Sequence, residues 1–204
     1  MIRTASRWAA PGAALLLLAA CASAPVHYYT LVAPAAEQAA AAAPAGLPFE
    51  LLPVGIPAQV DQPQLVVREG GQGIAVLNGQ RWIAPLASEL QDALSADLAR
   101  DLGSQNLNGL PSGDKPRLRI ALDLRRFDSL PGSYAAIEGS WSVRVLHAAD
   151  GRMLTCSSRI RESVGPGYDA LVQGHQRALA RLAQQIAGVA RLLGNGQAAD
   201  CPAS

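Results

Sequence analysis

The sequence is poor in aromatic residues and has almost no net charge. Phe, Trp and Tyr make up 4% of its 204 residues, and 17 basic residues against 16 acidic ones give a formal charge of +1. Binding of nucleic acid requires a concentrated basic surface, which this composition does not supply. The sequence therefore predicts no nucleic-acid partner and a core built mainly from Ala, Leu, Val and Ile.

Motifs for metal binding and catalysis are missing as well. His27, His147 and His175 stand alone, and no two cysteines have the spacing of a zinc site. There is no Gly-x-Ser-x-Gly elbow and no phosphate-binding loop. We therefore predict no metal, no catalytic residues and no enzymatic activity.

No apolar run reaches the roughly 20 residues that a membrane-spanning helix needs. The longest is residues 8–20, which follows Arg3 and Arg7 and ends at Cys21. This layout is typical of a cleaved secretory signal. The ending Leu-Ala-Ala-Cys resembles the bacterial lipobox, so we predict a signal peptide at 1–20 and diacylglycerol and N-acyl lipid on Cys21, with no other cofactor. The alternative is an ordinary signal peptide with a chance cysteine.

Two further cysteines, Cys156 and Cys201, remain in the exported part of the chain. Outside the cytoplasm two such thiols can form a disulfide. A loop of about 45 residues would then be closed, which is worth roughly 4 kcal/mol. In the alternative interpretation Cys156 is a buried thiol and Cys201 lies in a frayed tail.

Hydrophobic periodicity predicts one α+β domain over residues 27–194, after a lipidated lead at 21–26 and before a flexible tail at 195–204. Leucines recur every four residues from Leu86 to Leu102, which indicates an amphipathic helix, and a second helix ends at Gly194. Alternating strands between the helices form a meander, and Asn78-Gly79 predicts a tight turn. The expected fold is a two-layer α/β sandwich, with a mostly antiparallel sheet and both helices on one face.

The solvent side of the meander collects five arginines. A charged sheet face with cross-strand ion pairs explains them adequately. The alternative is a docking face for anionic headgroups or an acidic partner. The candidate residues are Arg119, Arg125, Arg144, Arg159 and Arg161.

Several short motifs occur in a characteristic order. Tyr28-Tyr29-x-Leu31 follows the lipobox, and residues 54–57 (Val-Gly-Ile-Pro) precede residues 61–66 (Asp-Gln-Pro-Gln-Leu-Val). Trp82-x-x-Pro85-Leu86, Gly139-Ser140-Trp141 and a Gly-Tyr-Asp-x-Leu-Val segment at 167–172 follow. Together they resemble the PqiC-like family of ABC-type transport auxiliary lipoproteins over nearly the whole mature chain.

This resemblance implies a lipoprotein on the periplasmic face of the Gram-negative outer membrane. The implied partners are a periplasmic MCE-domain protein and its inner-membrane component, in a system that moves lipid between the membranes and preserves membrane integrity. A homo-oligomer would suit the end of a conduit. We expect a non-enzymatic docking subunit. The alternatives are a lipid carrier with an apolar pocket between helices and sheet, and an envelope hydrolase.

Overall fold

The computed structural model describes residues 25–34, 46–110, 113–148 and 151–203. The signal peptide and Cys21 lie outside the described residues. Within them, no helix combines the length and the apolar character needed to cross a membrane. The described ranges contain seven strands and two helices, with these bounds: β1 His27–Tyr29, β2 Phe49–Leu51, β3 Gln64–Gly70, β4 Gly73–Trp82, α1 Leu86–Leu102, β5 Arg117–Leu130, β6 Tyr134–Leu146, β7 Met153–Ser163 and α2 Tyr168–Gly194.

The strands form two mixed sheets, which confirms the α+β class. A three-stranded sheet has the order β1-β4-β3, and a four-stranded sheet has the order β2-β5-β6-β7. The hairpins β5-β6 and β6-β7 are antiparallel, as the alternating patterns predicted, and the hairpin β3-β4 is antiparallel as well. Two short strands, β1 and β2, add parallel pairings to β4 and β5. These two strands come from distant parts of the chain, so no local pattern indicates their partners.

The two helices bury the stripes that the sequence predicted. Every leucine of the four-residue repeat in α1 is buried, and α1 ends at Gly103 with φ 58°. A left-handed residue at this place favours glycine, and its N–H closes the last turn on Ala99 and Arg100. Helix α2 packs on the inner face of the four-stranded sheet, and α1 packs against α2. Trp82 and Trp141 lie in the resulting core, 5% and 1% exposed.

Helix α2 approaches the sheet closely because Gly174 has no side chain. A Cβ at this position would collide with Val164 and lie 3.0 Å from Ala135. Farther along α2, Gln185 accepts a 2.6 Å hydrogen bond from Ser158 on β7, whose hydroxyl also accepts from the Trp141 indole at 2.8 Å. This chain of polar groups connects α2 with β6 and β7.

The prediction of a tight turn at Asn78-Gly79 is wrong. Strand β4 runs through both residues. Gln64 pairs with Arg81, but its neighbour Leu65 pairs with Leu77, so three residues of β4 bulge out opposite this step. After Asn78-Gly79, β4 continues to pair with β1 and with Gln64 of β3. The two turn-prone residues therefore form an irregularity within the strand and do not end it.

Candidate partner-binding face

The outer face of the four-stranded sheet carries all five predicted arginines. Residues of β5, β6 and β7 alternate between the core and this face, with hydrophobic side chains directed toward α2. We call it the arginine face. Its members are Arg119, Arg125, Arg144, Arg159 and Arg161. Their role in binding a partner stays a prediction.

At one end of the arginine face, two like charges lie directly opposite each other. Arg119 on β5 pairs in register with Arg144 on β6. Glu50 on β2 offsets the charge of Arg119 through a 3.1 Å contact from Nε. The guanidinium of Arg144 is exposed and makes no ion pair or hydrogen bond with any residue that the structure describes. Arg144 therefore presents an uncompensated positive charge to solvent.

At the other end, Arg159 forms a two-pronged ion pair with Glu138. Its Nε and Nη2 each donate a 3.1 Å hydrogen bond to one carboxylate oxygen. The bond to Arg159 lowers the pKa of Glu138, and Arg126 and Arg125 add to this effect. The pair is solvent-exposed, so it orients the side chains and contributes little to stability.

Arg161 belongs to a network that joins the two sheets. Its guanidinium lies 3.5 Å from the centre of the Tyr134 ring, a cation–π contact. The Tyr134 hydroxyl donates a 3.3 Å hydrogen bond to Asp128, which accepts a 2.6 Å bond from Arg68 on β3. This network raises the pKa of Arg68, chiefly through its hydrogen bond to Asp128.

A β-bulge adds a sixth arginine that the sequence analysis missed. The register of β5 against β6 shifts between Leu124 and Arg126, which turns both Arg125 and Arg126 to the outside. Arg125 donates to the Ser140 hydroxyl. Strict alternation assigns one of two consecutive residues to the core, so only the pair of adjacent arginines could have indicated the bulge.

A groove of about 280 Å³ opens beside this bulge, between β3 and β5. Its apolar lining includes Val60, Val66, Ile74 and Phe127, and its walls carry three arginines and one acidic residue: Arg68, Arg125, Arg126 and Asp128. The arginine face therefore continues at this end into a depression that combines apolar and cationic groups.

The interior contains a serine–histidine pair that no motif indicated. Ser129 Oγ and His175 Nε2 are 2.8 Å apart, and His175 stacks on Phe127 with ring centres separated by 3.9 Å. Complete burial lowers the pKa of His175 to about 3. Its Nδ1 has no hydrogen-bond partner among the described residues, so no acid orients the ring. A substrate could not reach this pair, which packs as part of the core.

A small cavity lies next to His175, between the helices and the sheets. The cavity next to His175, lined by residues of both helices and of β3 and β5, has a volume of about 10 Å³. This is about the volume needed for one water molecule. This cavity is therefore too small for an acyl chain, whereas a wider groove of about 830 Å³ opens between the β1 segment and the two helices.

The remaining candidate residues are the cysteines. Cys156 and Cys201 are joined by a disulfide with a Cα–Cα distance of 5.5 Å, and Ala199 packs against the core just before it. Across the described ranges, no group of three or more His, Cys, Asp or Glu side chains could hold a metal ion. Cys21 lies outside the described residues, so its acylation stays a prediction.

The α+β fold of this domain also occurs in solved structures. One, described only as an uncharacterized protein, has a TM-score of 0.64 at 17% identity and covers 81% of this chain and 98% of its own. A Xanthomonas campestris protein assigned to the DUF330 family has a TM-score of 0.56 at 18% identity, covering 76% and 89%. At these identities the likeness shows the fold alone.

The family is shown by the sequence. The family described as the ABC-type transport auxiliary lipoprotein component matches residues 29–187. The chain therefore belongs to this family and is an auxiliary lipoprotein of an ABC-type transport system. No curated protein matches the chain.

Proposed function

We propose that this protein is a non-enzymatic subunit of an MCE-type lipid transport system, held by lipid on Cys21 at the periplasmic face of the outer membrane. There it receives the end of a trans-envelope conduit and supports envelope integrity. Its partners are a periplasmic MCE-domain protein and the inner-membrane component of the same system. A homo-oligomeric assembly is part of this proposal.

The observation that carries the docking role is the uncompensated charge on the arginine face. Arg144 has no counter-ion among the described residues, and Arg125 and Arg126 point outward from the bulge. An exposed cationic sheet face attracts an acidic partner and sets the orientation in which it docks. Membership of a transport auxiliary family supports a protein partner within a transport system.

Site-specific crosslinking in cells tests the docking role. A photoactivatable amino acid replaces Arg144, and the captured proteins are identified by mass spectrometry. The matched control replaces Gln184, an exposed residue of α2. We expect an MCE-domain protein at position 144 and not at 184. Equal capture at both positions, or none at 144, would contradict docking through the arginine face.

Attachment is tested separately by Cys21→Ala. Without an acceptor for lipid, the variant should be released into the soluble periplasm and should lose function in envelope integrity. Full function of the soluble variant would count against the proposal that the anchor is required. Crosslinking identifies the partner, whereas the distribution of Cys21→Ala between the membrane and soluble fractions tests the anchor. The two parts of the proposal can therefore fail independently.

A further inference from the structure

Most of the exposed apolar side chains are concentrated on one small sheet. Among the described residues, eight large hydrophobic side chains are exposed, and five belong to the three-stranded sheet or directly adjoin its strands. The other three lie apart, on a loop, on β7 and on α2. We call the five together the apolar face. They are Val26, Tyr28, Ile74, Val76 and Ile83, with exposures between 42% and 62%.

Strand register places Tyr28, Ile74 and Val76 on the same side of the sheet, and Val26 and Ile83 directly adjoin its strands. Tyr28 pairs with Arg81, and Val76 pairs with Val66. The neighbours of these residues along the strands point to the core, as the burial of Leu65 and Trp82 shows. Since successive residues of a strand alternate between faces, the apolar face is the side of the sheet that is turned away from the core.

Positive charge accompanies the apolar face. Arg68 and Arg81 occupy outward positions of β3 and β4, and the one acidic residue of these two strands is Glu69, near the end of β3. Arg68 is paired with Asp128, whereas Arg81 has no carboxylate partner in the described part of the chain and donates to the backbone oxygen of Asn78. The groove with Arg125 and Arg126 adjoins the same edge. An apolar surface with cationic surroundings is complementary to a bilayer that contains anionic headgroups.

The proposed lipid attachment residue lies close in the chain to this face. Cys21 precedes the first described residue, Pro25, by four positions, and four residues span at most roughly 14 Å. Two residues after Pro25 the chain enters β1, an edge strand of this sheet. A lipid on Cys21 therefore holds the start of the apolar face close to the membrane surface.

We propose that the apolar face rests on the bilayer, with Tyr28 and Ile83 in the headgroup region and Arg81 at the lipid phosphates. This inference depends on the proposed lipid attachment at Cys21. Tyr is suited to this place because its ring is apolar and its hydroxyl is polar. Arg144 lies on the other sheet and does not line the groove beside the apolar face, so it is left available to a protein partner.

The proposed orientation on the bilayer is tested by fluorescent labels on the protein, which nitroxide groups carried by the lipids quench. The full chain, exported and lipidated in cells, is reconstituted in vesicles of phosphatidylethanolamine and phosphatidylglycerol. Ile83→Cys and Val76→Cys each provide one thiol for an environment-sensitive label, since Cys156 and Cys201 are joined to each other. The matched control is Met153→Cys, at a side chain that is 55% exposed on β7. Flotation of the vesicles measures attachment in the same samples.

We expect blue-shifted emission at positions 76 and 83. Lipid-borne nitroxides should quench these labels roughly threefold more than the label at 153, because interfacial apolar groups lie about 5–10 Å deep. Floating protein with equal quenching at all three positions would overturn the orientation and leave the anchor intact. Protein that does not float would overturn both. A blue shift without nitroxide quenching would mean that a second copy of the chain covers this face, which also overturns the proposal.

Discussion

The carboxylate of Glu89 on α1 accepts a 2.8 Å hydrogen bond from the backbone N–H of Leu31. The same oxygen accepts a 2.7 Å bond from the Thr30 hydroxyl, and Glu89 is only 4% exposed. Gln176 on α2 donates to the backbone oxygen of Thr30 at 3.1 Å. Both helices therefore hold the segment that follows β1, so a pull on a lipid at Cys21 would be transmitted to the core at this point.

Glu89→Ala should destabilise the protein by about 1–3 kcal/mol, because it leaves the buried N–H of Leu31 without an acceptor. Glu89→Gln should lower the free energy of unfolding by less, since the amide oxygen of glutamine can still accept the hydrogen bond from Leu31. Denaturant unfolding measures both changes. Asp92→Ala, at an exposed position of the same helix, is the control and should stay within about 0.5 kcal/mol of the parent. If Glu89→Ala behaved like Asp92→Ala, the contact would have no role in stability.

Cys201→Ser should lower the free energy of unfolding by up to about 4 kcal/mol, because the disulfide closes a loop over a sequence separation of 45. A reducing agent should lower the stability of the parent by a similar amount. It should leave the variant unchanged, which is the internal control. Denaturant unfolding with and without reductant checks this. If reductant did not affect the parent, the two thiols would not be bonded in the protein.

The stability of the protein should fall between pH 6.5 and pH 3 because of His175. Burial lowers its pKa to about 3 from an unfolded value of 6.5. In this range the unfolded chain binds a proton that the folded chain does not, so stability is full above pH 6.5 and is lost as the pH falls. At a pH of about 4 the loss should be on the order of 3 kcal/mol, since one pKa unit corresponds to about 1.4 kcal/mol.

The matched variant for this pH dependence is His175→Gln. Carboxylates titrate in the same range in both proteins, so the difference between their unfolding free energies, followed against pH, isolates the histidine. The slope is the relevant quantity, because the substitution also changes packing against Phe127. Parallel curves for the two proteins would show that His175 is accessible to protons in the folded state.

The hairpins and helices could be predicted from sequence because their information is local. Four-residue spacing of leucines and two-residue alternation each report a single element and its buried side. The pairing of His27 with Gln80, or of Phe49 with Leu118, depends on segments far apart in the chain. Division into two sheets follows from these long-range pairings, which a periodic pattern cannot contain.

The outward direction of the arginines could be predicted because alternation along a strand is local. The carboxylates with which they form ion pairs could not be predicted. Alternation puts Arg144 and Arg159 outward, but which arginine finds a carboxylate depends on cross-strand register. Glu138 opposite Arg159 supplies one ion pair, while Arg119 lies opposite Arg144. The bulge at Arg125 breaks the alternation itself, so Arg126 was assigned no role. The pairing of Ser129 with His175 joins β5 to α2, 46 residues apart, and no spacing rule covers it.

The contact between Trp141 and Ser158 gives a last prediction, on the attachment of α2 to the sheet. The Trp141 indole N–H is buried and donates to the Ser158 hydroxyl at 2.8 Å, and that hydroxyl donates to Gln185 at 2.6 Å. Ser158→Ala removes the shared group and leaves a buried donor and an acceptor unpaired, which should cost about 1–3 kcal/mol. Ser157→Ala, exposed and adjacent on β7, is the control and should stay within about 0.5 kcal/mol.

Hydrogen exchange distinguishes a local from a global loss of stability in Ser158→Ala. If the network fixes α2 on the sheet, amides of α2 around Gln185 should exchange faster in Ser158→Ala than the overall loss of stability requires, while those of β5 should follow the global value. Trp141→Phe removes the same donor from the opposite side, so it should weaken protection in the same part of α2. Uniform acceleration across the domain in both variants would mean that packing alone positions the helix, and that the polar chain from Trp141 to Gln185 only avoids a desolvation penalty.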